Sequence, residues 1–450
     1  VSLTKRQMEE NEERGWSSGG DKYVCAEHVE DDALVTLIAE NASSMPCSYC
    51  GRQGGAPIDV LIERVGSSLP YEWGSADDEG VGWEGGYIGK TYDTYELLTE
   101  AGDPPLNHPE LIADVVRALP QQAWAQRDFY RLRPDLRLRY GWEKFGQTVK
   151  HHRRYFFADH GGEIEDPDYI MPGALLEAIG DALRSGGLVR TLPEELVYRV
   201  RSHDSREHPR TAAELGAPPA TLIDKSSRMS PAGVPLFYGA LDPATATIEA
   251  RDANPDAEAG TLGTFRVRHP ARVVDLSTPP EVPSLYDPER GHLRPGLIFL
   301  RHFVGEISKP FVRDDHIHIE YVPTQVVTEW LRTRFDPGSG EPLVGVLYSS
   351  SRSPAGGVNV SLFIDNDGAC DPGDERDSAL LVLDGHERLV GCCCQRRFGI
   401  RRGQMGSRVV SCFVAVFNVG LIPSQNLWSA MRSPVKKFQT LITSRDSRDA

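Results

Sequence analysis

The chain has 450 residues, with 49 Lys+Arg against 65 Asp+Glu and a formal net charge of −16. Forty per cent hydrophobic and 25% charged residues describe an ordinary globular chain with room for about two to four domains. The acidic balance argues against nucleic-acid binding by broad phosphate neutralisation, and 43 Gly with 32 Pro argue against a long helical rod.

Charge is unevenly spread. Residues 391–450 carry ten Lys/Arg and two Asp/Glu, a net of +8, which leaves −24 on residues 1–390. Residues 1–22 are polar and charged and read as a tail, without the apolar stretch of a secretory signal. No run reaches the roughly 18–20 apolar residues of a spanning helix. Residues 409–422 come closest and contain Asn418. The eight cysteines follow no disulfide framework, so a reducing cytoplasm is the expected compartment, with no membrane partner.

Residues 23–65 hold a Cys/His cluster. Cys25 and His28 form a C-x2-H pair, and Cys47 and Cys50 a C-x2-C pair. Two-residue spacers let both members of a pair bend onto one ion. Three thiolates and an imidazole complete a tetrahedral set with no open position, the pattern of a structural zinc. Gly51 suits the tight turn after the second pair. The plainer reading is four unconnected side chains. Residues 66–106 read as loop with short elements. Within them, residues 84–91 (EGGYIGKT) approach a phosphate-binding loop but have Glu84 where that pattern needs glycine, and no apolar strand precedes them.

Helical spacing follows. Leu111, Ile112, Val115, Val116 and Leu119 make one stripe over residues 107–119, and Trp142, Phe145 and Val149 continue the pattern. Residues 172–184 are a further helix, with Gly186 as its stop. From about residue 195 the spacing becomes strand-like, at 196–200, 263–268, 272–276, 316–322, 344–348 and 358–363, with a helix at 324–334. His316, His318 and Glu320 would share one face of the 316–322 strand, as a solvated edge or a metal site. Residues 365–368 (DNDG) resemble the start of a calcium loop, but Cys370 stands at its glycine position.

One constellation carries chemistry. Arg199 and Arg201 follow a tyrosine near a strand end, and Arg228 opens RMSPAG. Tyr238 lies in FYGA, with Glu249 eleven residues on. Ser350 lies in YSSSR, with Ser349 and Ser351 as rivals one place away. Arginines clamp diphosphates through charge-assisted bonds. A tyrosine offers a flat face and a hydroxyl. A carboxylate stabilises an oxocarbenium-like ribosyl carbon. The plainer reading makes Arg199 and Glu249 a structural ion pair and Tyr238 a core residue.

The order and wording of these pieces resemble the RES domain family over about residues 195–365. RVR, ELGAPP, RMSPAGVPLFYGA and TIEA carry the likeness, followed by EISKP, IEYVPTQVVTEWLR and YSSSR…GGVNVSLF. KYVCAEH…CSYCGR, GWEGGY and KHHRRYFF resemble the zinc-pair domain found ahead of RES domains in HEPN-associated proteins. The usual form there has Cys where this chain has His28.

The resemblance implies an α+β chain. A mainly helical zinc-containing domain (23–190) would precede an ADP-ribosyltransferase-like mixed α/β RES domain (191–370). Residues 1–22 would be a tail, and 371–450 an extension that is poorly ordered or non-native. It implies NAD+ as substrate and structural Zn2+ as cofactor. Arg199 (rival Arg201) and Arg228 would be the family arginines, Tyr238 the nicotinamide-side tyrosine, Glu249 the catalytic acid and Ser350 the family serine. The expected activity is NAD+ breakdown with release of nicotinamide, by hydrolysis or phosphorolysis, in a toxin or defence-type effector. The alternatives are ADP-ribosyl transfer to a macromolecule and a non-enzymatic nucleotide sensor. The partners it suggests are an antitoxin or regulatory protein and a second copy of the chain. The compact toxins read GRWNSPG where this chain reads RMSPAG, and they are much shorter.

Overall fold

A computed structural model describes residues 11, 14–101, 105–156, 166–192, 195–309, 317–338, 340–353, 356–374, 376 and 378–390. The basic segment 391–450 lies outside the described residues, as does His316.

The N-terminal region runs β1 (Tyr23–Val24), α1 (Asp32–Glu40), β2 (Ala56–Pro57), α2 (Ile58–Ser68) and β3 (Trp73–Ser75). It continues with β4 (Gly82–Trp83), β5 (Gly86–Tyr87), α3 (Thr94–Thr99), α4 (Pro109–Ala118) and β6 (Trp124–Gln126). Then come α5 (Pro134–Gln147), a π turn at Thr148–His152 and α6 (Pro172–Ser185). Local chemistry sets the helix starts. Asp31 accepts the Ala33 and Leu34 amides at the head of α1. Asp93 and Glu96 form a capping box on α3. Proline sits in the first turn of α4, α5 and α6, where its missing N–H costs nothing. Residues 84–91 cradle no phosphate helix. Glu84 (φ 34°) and Gly85 (φ 90°) turn the β4–β5 hairpin, whose tight turn needs left-handed residues.

The C-terminal region runs β7 (Val189–Leu192), β8 (Leu196–His203), α7 (Ala212–Leu215), β9 (Phe237–Ala240), α8 (Pro243–Ala253), β10 (Ala259–Val267) and β11 (Ala271–Leu276). After these come α9 (Arg294–Ser308), α10 (Ile317–Glu320), α11 (Val322–Thr333), β12 (Leu343–Ser349), β13 (Val358–Leu362), β14 (Ala369–Cys370) and β15 (Leu381–Val390). One nine-stranded mixed sheet has the order β14-β15-β10-β8-β9-β13-β12-β11-β7. The molecule is thus mixed α+β.

Two expectations change. The strand at 316–322 is instead helix α10 and the start of α11. Pro323 sits in the first turn of α11, and Val322, Val327 and Leu331 are buried at helical spacing. On a helix, His318 and Glu320 are two residues apart and do not face each other. Glu320 pairs with Lys150 at 2.6 Å instead. Residues 371–390, grouped by sequence with the extension, include β15, which pairs antiparallel along all of β10. Its buried Leu381 and Leu383 alternate as a half-buried strand requires.

Each face of the sheet has its own core. On one, Val274, Val346 and Tyr348 pack with Phe145, Leu176, Leu300, Phe303 and Val327 from four helices. On the other, Val197, Phe237, Leu347, Val360 and Leu362 pack with Leu215. Phe145, Val149 and Leu176 precede residue 190 yet share a core with Val346. In return Tyr286 enters the core of α1, α2 and α4. There Arg64 Nη1 donates to its carbonyl at 3.2 Å and Ser284 Oγ donates to Asp31 at 2.8 Å.

Candidate active site and metal centre

The ligand atoms of Cys25, His28, Cys47 and Cys50 all lie within 4.8 Å of one another. The 3-10 turn Ala26–His28 brings the first pair round. Gly51 (φ 77°) closes the second, its N–H donating to the Cys47 carbonyl at 2.9 Å. His28 Nε2 is buried with no hydrogen-bond partner, which suits a metal-ligating nitrogen. Burial pushes the Cys25 thiol up to about 12. Burial also acts to raise Cys47, but amides of Tyr49 and Cys50 outweigh it and lower that thiol. Burial and then His108 pull His28 down, which favours the neutral imidazole a metal binds. The donor set fits zinc. A zinc held there would have all four positions filled by protein atoms, the arrangement of a structural site. Tyr49 anchors it to α4 by donating to Asp114 Oδ2 at 2.8 Å, and Lys22 and Arg117 complete the shell of that buried carboxylate.

The second cluster gathers over the opposite, C-terminal part of the sequence. α8 lies on Tyr198 and Val200 of β8 through Ala246, and presents Glu249. Glu249 Oε1 accepts from Ser350 Oγ at 2.6 Å and from Asn359 Nδ2 at 2.8 Å. Ser350 follows the end of β12. Its own oxygen accepts the Arg352 and Ser353 amides at 3.2 and 3.1 Å, and its N–H donates to the Gly357 carbonyl at 2.8 Å. Of the three adjacent serines, Ser350 is the one whose hydroxyl bonds Glu249. Ser349 Oγ turns away to the Ser277 carbonyl at 2.6 Å, and Ser351 is exposed. Glu249 makes no ion pair with Arg199 among the described residues, so that half of the plainer reading fails, while Tyr238 does pack against the core as its other half expected.

Tyr238 stands opposite Ser361 on β13. Its hydroxyl meets Ser227 and Ser230 (3.1 Å) and accepts the Met229 amide at 3.2 Å. This locks the RMSPAG loop beneath it, and Gln325 Nε2 holds the same loop by the Ser227 carbonyl at 2.7 Å. Burial raises the Tyr238 phenol. Arg228 donates to the carbonyls of Ile307 and of Lys309 (2.7 Å) at the end of α9, and its guanidinium carbon lies over the Tyr321 ring, 6.0 Å from the ring centre. Burial lowers its pKa, against the opposing pull of Tyr348, Tyr321 and Glu249.

The β8 arginines stand slightly apart. β8 and β9 pair at a single position, Tyr198 opposite Ala240. Just beyond it, Arg199 Nη1 takes the Tyr238 carbonyl at 2.6 Å, and its guanidinium lies 5.6 Å from the Phe237 ring. Burial and then Arg201 draw Arg199 down to about 10, and its Nε is buried without a partner. Arg201 donates to the Glu214 carbonyl at 2.5 Å and is exposed. Neither hydrogen-bonds to Glu249, Ser350 or Arg228.

Comparison with known families now has a geometry to attach to. Residues 196–380 match the RES domain family, and residues 40–163 match HEPN/RES N-terminal domain 1. The chain is a RES domain protein. RES domains are associated with NAD+-degrading toxins. No curated protein matches the chain. The N-terminal match takes in Cys47 and Cys50 but begins after Cys25 and His28, so the pairing of the two halves of the knuckle rests on the structure. In this RES domain protein sequence reasoning missed Asn359, the second donor to Glu249. An asparagine among apolar neighbours in GGVNVSLF was its signal, since a buried amide needs partners. No helix among the described residues is long and apolar enough to cross a membrane.

Proposed function

We propose that this RES domain protein is an NAD+-degrading enzyme that cleaves the bond between nicotinamide and ribose, on an ADP-ribosyltransferase-like fold. The observation that carries the reading is the carboxylate of Glu249, held on one oxygen by Ser350 and Asn359 and within electrostatic reach of Arg228. Two neutral donors fix the carboxylate without cancelling its charge. It is therefore suited to stabilise positive charge on a ribosyl carbon.

In this mechanism the C1′–N bond breaks and its electron pair leaves with nicotinamide, which departs neutral. Glu249 faces the oxocarbenium-like carbon. Tyr238 lies against the nicotinamide side, and Arg228 holds the diphosphate. Arg199 supports the same role. A guanidinium drawn from water, with one carbonyl partner and a second arginine beside it, lacks a counter-charge that a phosphate oxygen supplies. A nucleophile of the water or phosphate class then adds to the carbon and loses a proton. An effector of the toxin or defence type follows from such an activity, because its substrate is shared by all metabolism.

The test is direct. Purified protein with NAD+ should release nicotinamide, and Glu249→Gln, which keeps size and hydrogen bonding, should lose at least about a thousandfold in rate. Equal release by the two proteins refutes the assignment. The co-product decides the acceptor. Free ADP-ribose means water, ADP-ribose 1″-phosphate means phosphate, and label on a macromolecule means transfer.

A further inference from the structure

Helix α8 meets the loop after β12 at three places along one stripe. Thr245 Oγ1 donates to Ser353 Oγ at 3.3 Å, Glu249 Oε1 accepts from Ser350 Oγ at 2.6 Å, and Asp252 Oδ1 accepts from Arg352 Nη1 at 3.2 Å. Positions 245, 249 and 252 are four and three apart, so they share one helix face. The third contact is an ion pair, with each side chain 33% exposed. The helix itself gives no reason for Asp252. It lies in the last turn of α8, where the helix dipole disfavours a negative charge, and aspartate is a weak helix former.

Arg352 supplies the reason. It stands two residues beyond Ser350, and its own N–H donates to the Ser350 hydroxyl at 3.2 Å. Glu249 and Asp252 are neighbours on the helix, with Cβ atoms about 5–6 Å apart, so both carboxylates compete for one tethered guanidinium. In the structure it goes to Asp252, and Glu249 keeps two neutral donors, Ser350 and Asn359. On Glu249 the same guanidinium would form a charge-assisted pair and cancel the charge that faces the ribosyl carbon. We propose that Asp252 is a positioning residue that draws Arg352 off Glu249 and so leaves that carboxylate its full charge for the substrate. This rests on the NAD+-cleavage reading above and adds a residue that acts through another.

Asp252→Asn in the full chain should release Arg352 onto Glu249. It should lower kcat for nicotinamide release at least about tenfold, with KM for NAD+ within about twofold of wild type. Arg352→Gln keeps the N–H on Ser350 and loses only the ion pair, so it should slow kcat about threefold. The double variant decides. With no guanidinium left to capture Glu249, it should be faster than Asp252→Asn and match Arg352→Gln. It carries the same asparagine, so its recovery also rules out misfolding as the cause of the first loss. A double variant as slow as Asp252→Asn would make the pair a plain latch and overturn the inference, as would wild-type kcat in Asp252→Asn. A rise in KM alone for Arg352→Gln would make Arg352 a substrate contact and overturn it too. Each of these results leaves the function standing. A wild-type protein that releases no nicotinamide overturns the function and this role with it.

Discussion

Glu249 is held by two donors that converge on one oxygen, Oε1. This makes a prediction about coupling. Ser350→Ala and Asn359→Ala should each slow nicotinamide release by about tenfold, one charge-assisted hydrogen bond apiece. The double variant should lose less than the product of the two, because either loss alone already frees the carboxylate to rotate. Kinetics on the four proteins measure the term directly, and full additivity would contradict a shared anchor. A second residue-scale case is Asp114. Burial acts to raise its carboxyl, but Lys22, Tyr49 and Arg117 outweigh it and hold it below the usual carboxylate range. Its stabilising contribution is therefore complete above that range and is lost as pH falls through the lowered native value. Asp114→Asn should cost about 1 kcal/mol near neutral pH, since it removes the charge that a buried carboxylate shares with the partly exposed Lys22 and the exposed Arg117. The gap to wild type should close as pH drops from about 5 toward about 2. Denaturant titrations across that window check both statements.

Elements carry the next layer. The knuckle joins residues 25–28 to 47–50, and β1 and β2 pair beside it. Purified protein should contain one zinc per chain by elemental analysis. Cys47→Ser or a strong chelator should remove the metal and lower the melting temperature, with the first protease cuts falling in residues 41–55. The seat of α8 is equally specific. A Cβ on Gly357 would stand 1.9 Å from Thr245 Oγ1, so that glycine lets the loop after Ser350 approach the helix that bears Glu249. Gly357→Ala should destabilise by about 1–3 kcal/mol through overpacking. It should also slow catalysis, because either the helix or the serine loop must shift. A variant with wild-type melting and rate would show that the approach is not needed.

At the scale of the molecule, helices on both sides of residue 190 cover one sheet face. Phe145, Val149, Leu176, Ile179 and Leu183 all precede it, and Val346 and Tyr348 follow. A fragment starting at 191 would expose that face, and it should be insoluble or lack cooperative unfolding. The other end is set by β15. Ending the chain at 370 strips the partner from the whole of β10 and bares a long edge, whereas ending it after residue 390 keeps the sheet. The longer truncation product should retain NAD+ turnover and the shorter should not. Retained turnover would show that the basic +8 of residues 391–450 is not needed for the proposed chemistry, which then belongs to residues 1–390 with their net −24.

Much of this was legible in the sequence because its causes are local. The α4 stripe, the helix at 172–184 with its Gly186 stop, and the strand-like runs at 263–268, 272–276, 344–348 and 358–363 follow from neighbours within one turn or one pleat. The two C-x2 pairs declare the metal centre for the same reason, since each pair needs only its own backbone turn. The register of β12 against β13 was not legible, nor was the place of β15 beside β10 or the partnership of Glu249 with Asn359. Glu249 and Ser350 are 101 residues apart, and Glu249 and Asn359 are 110 apart. No local preference encodes such a meeting. It arises when the two cores close on the sheet and fix which strand lies beside which. The sequence alone determined the kinds of side chain available for the chemistry. The tertiary structure decided which of them share an oxygen, because that meeting needs the whole sheet closed.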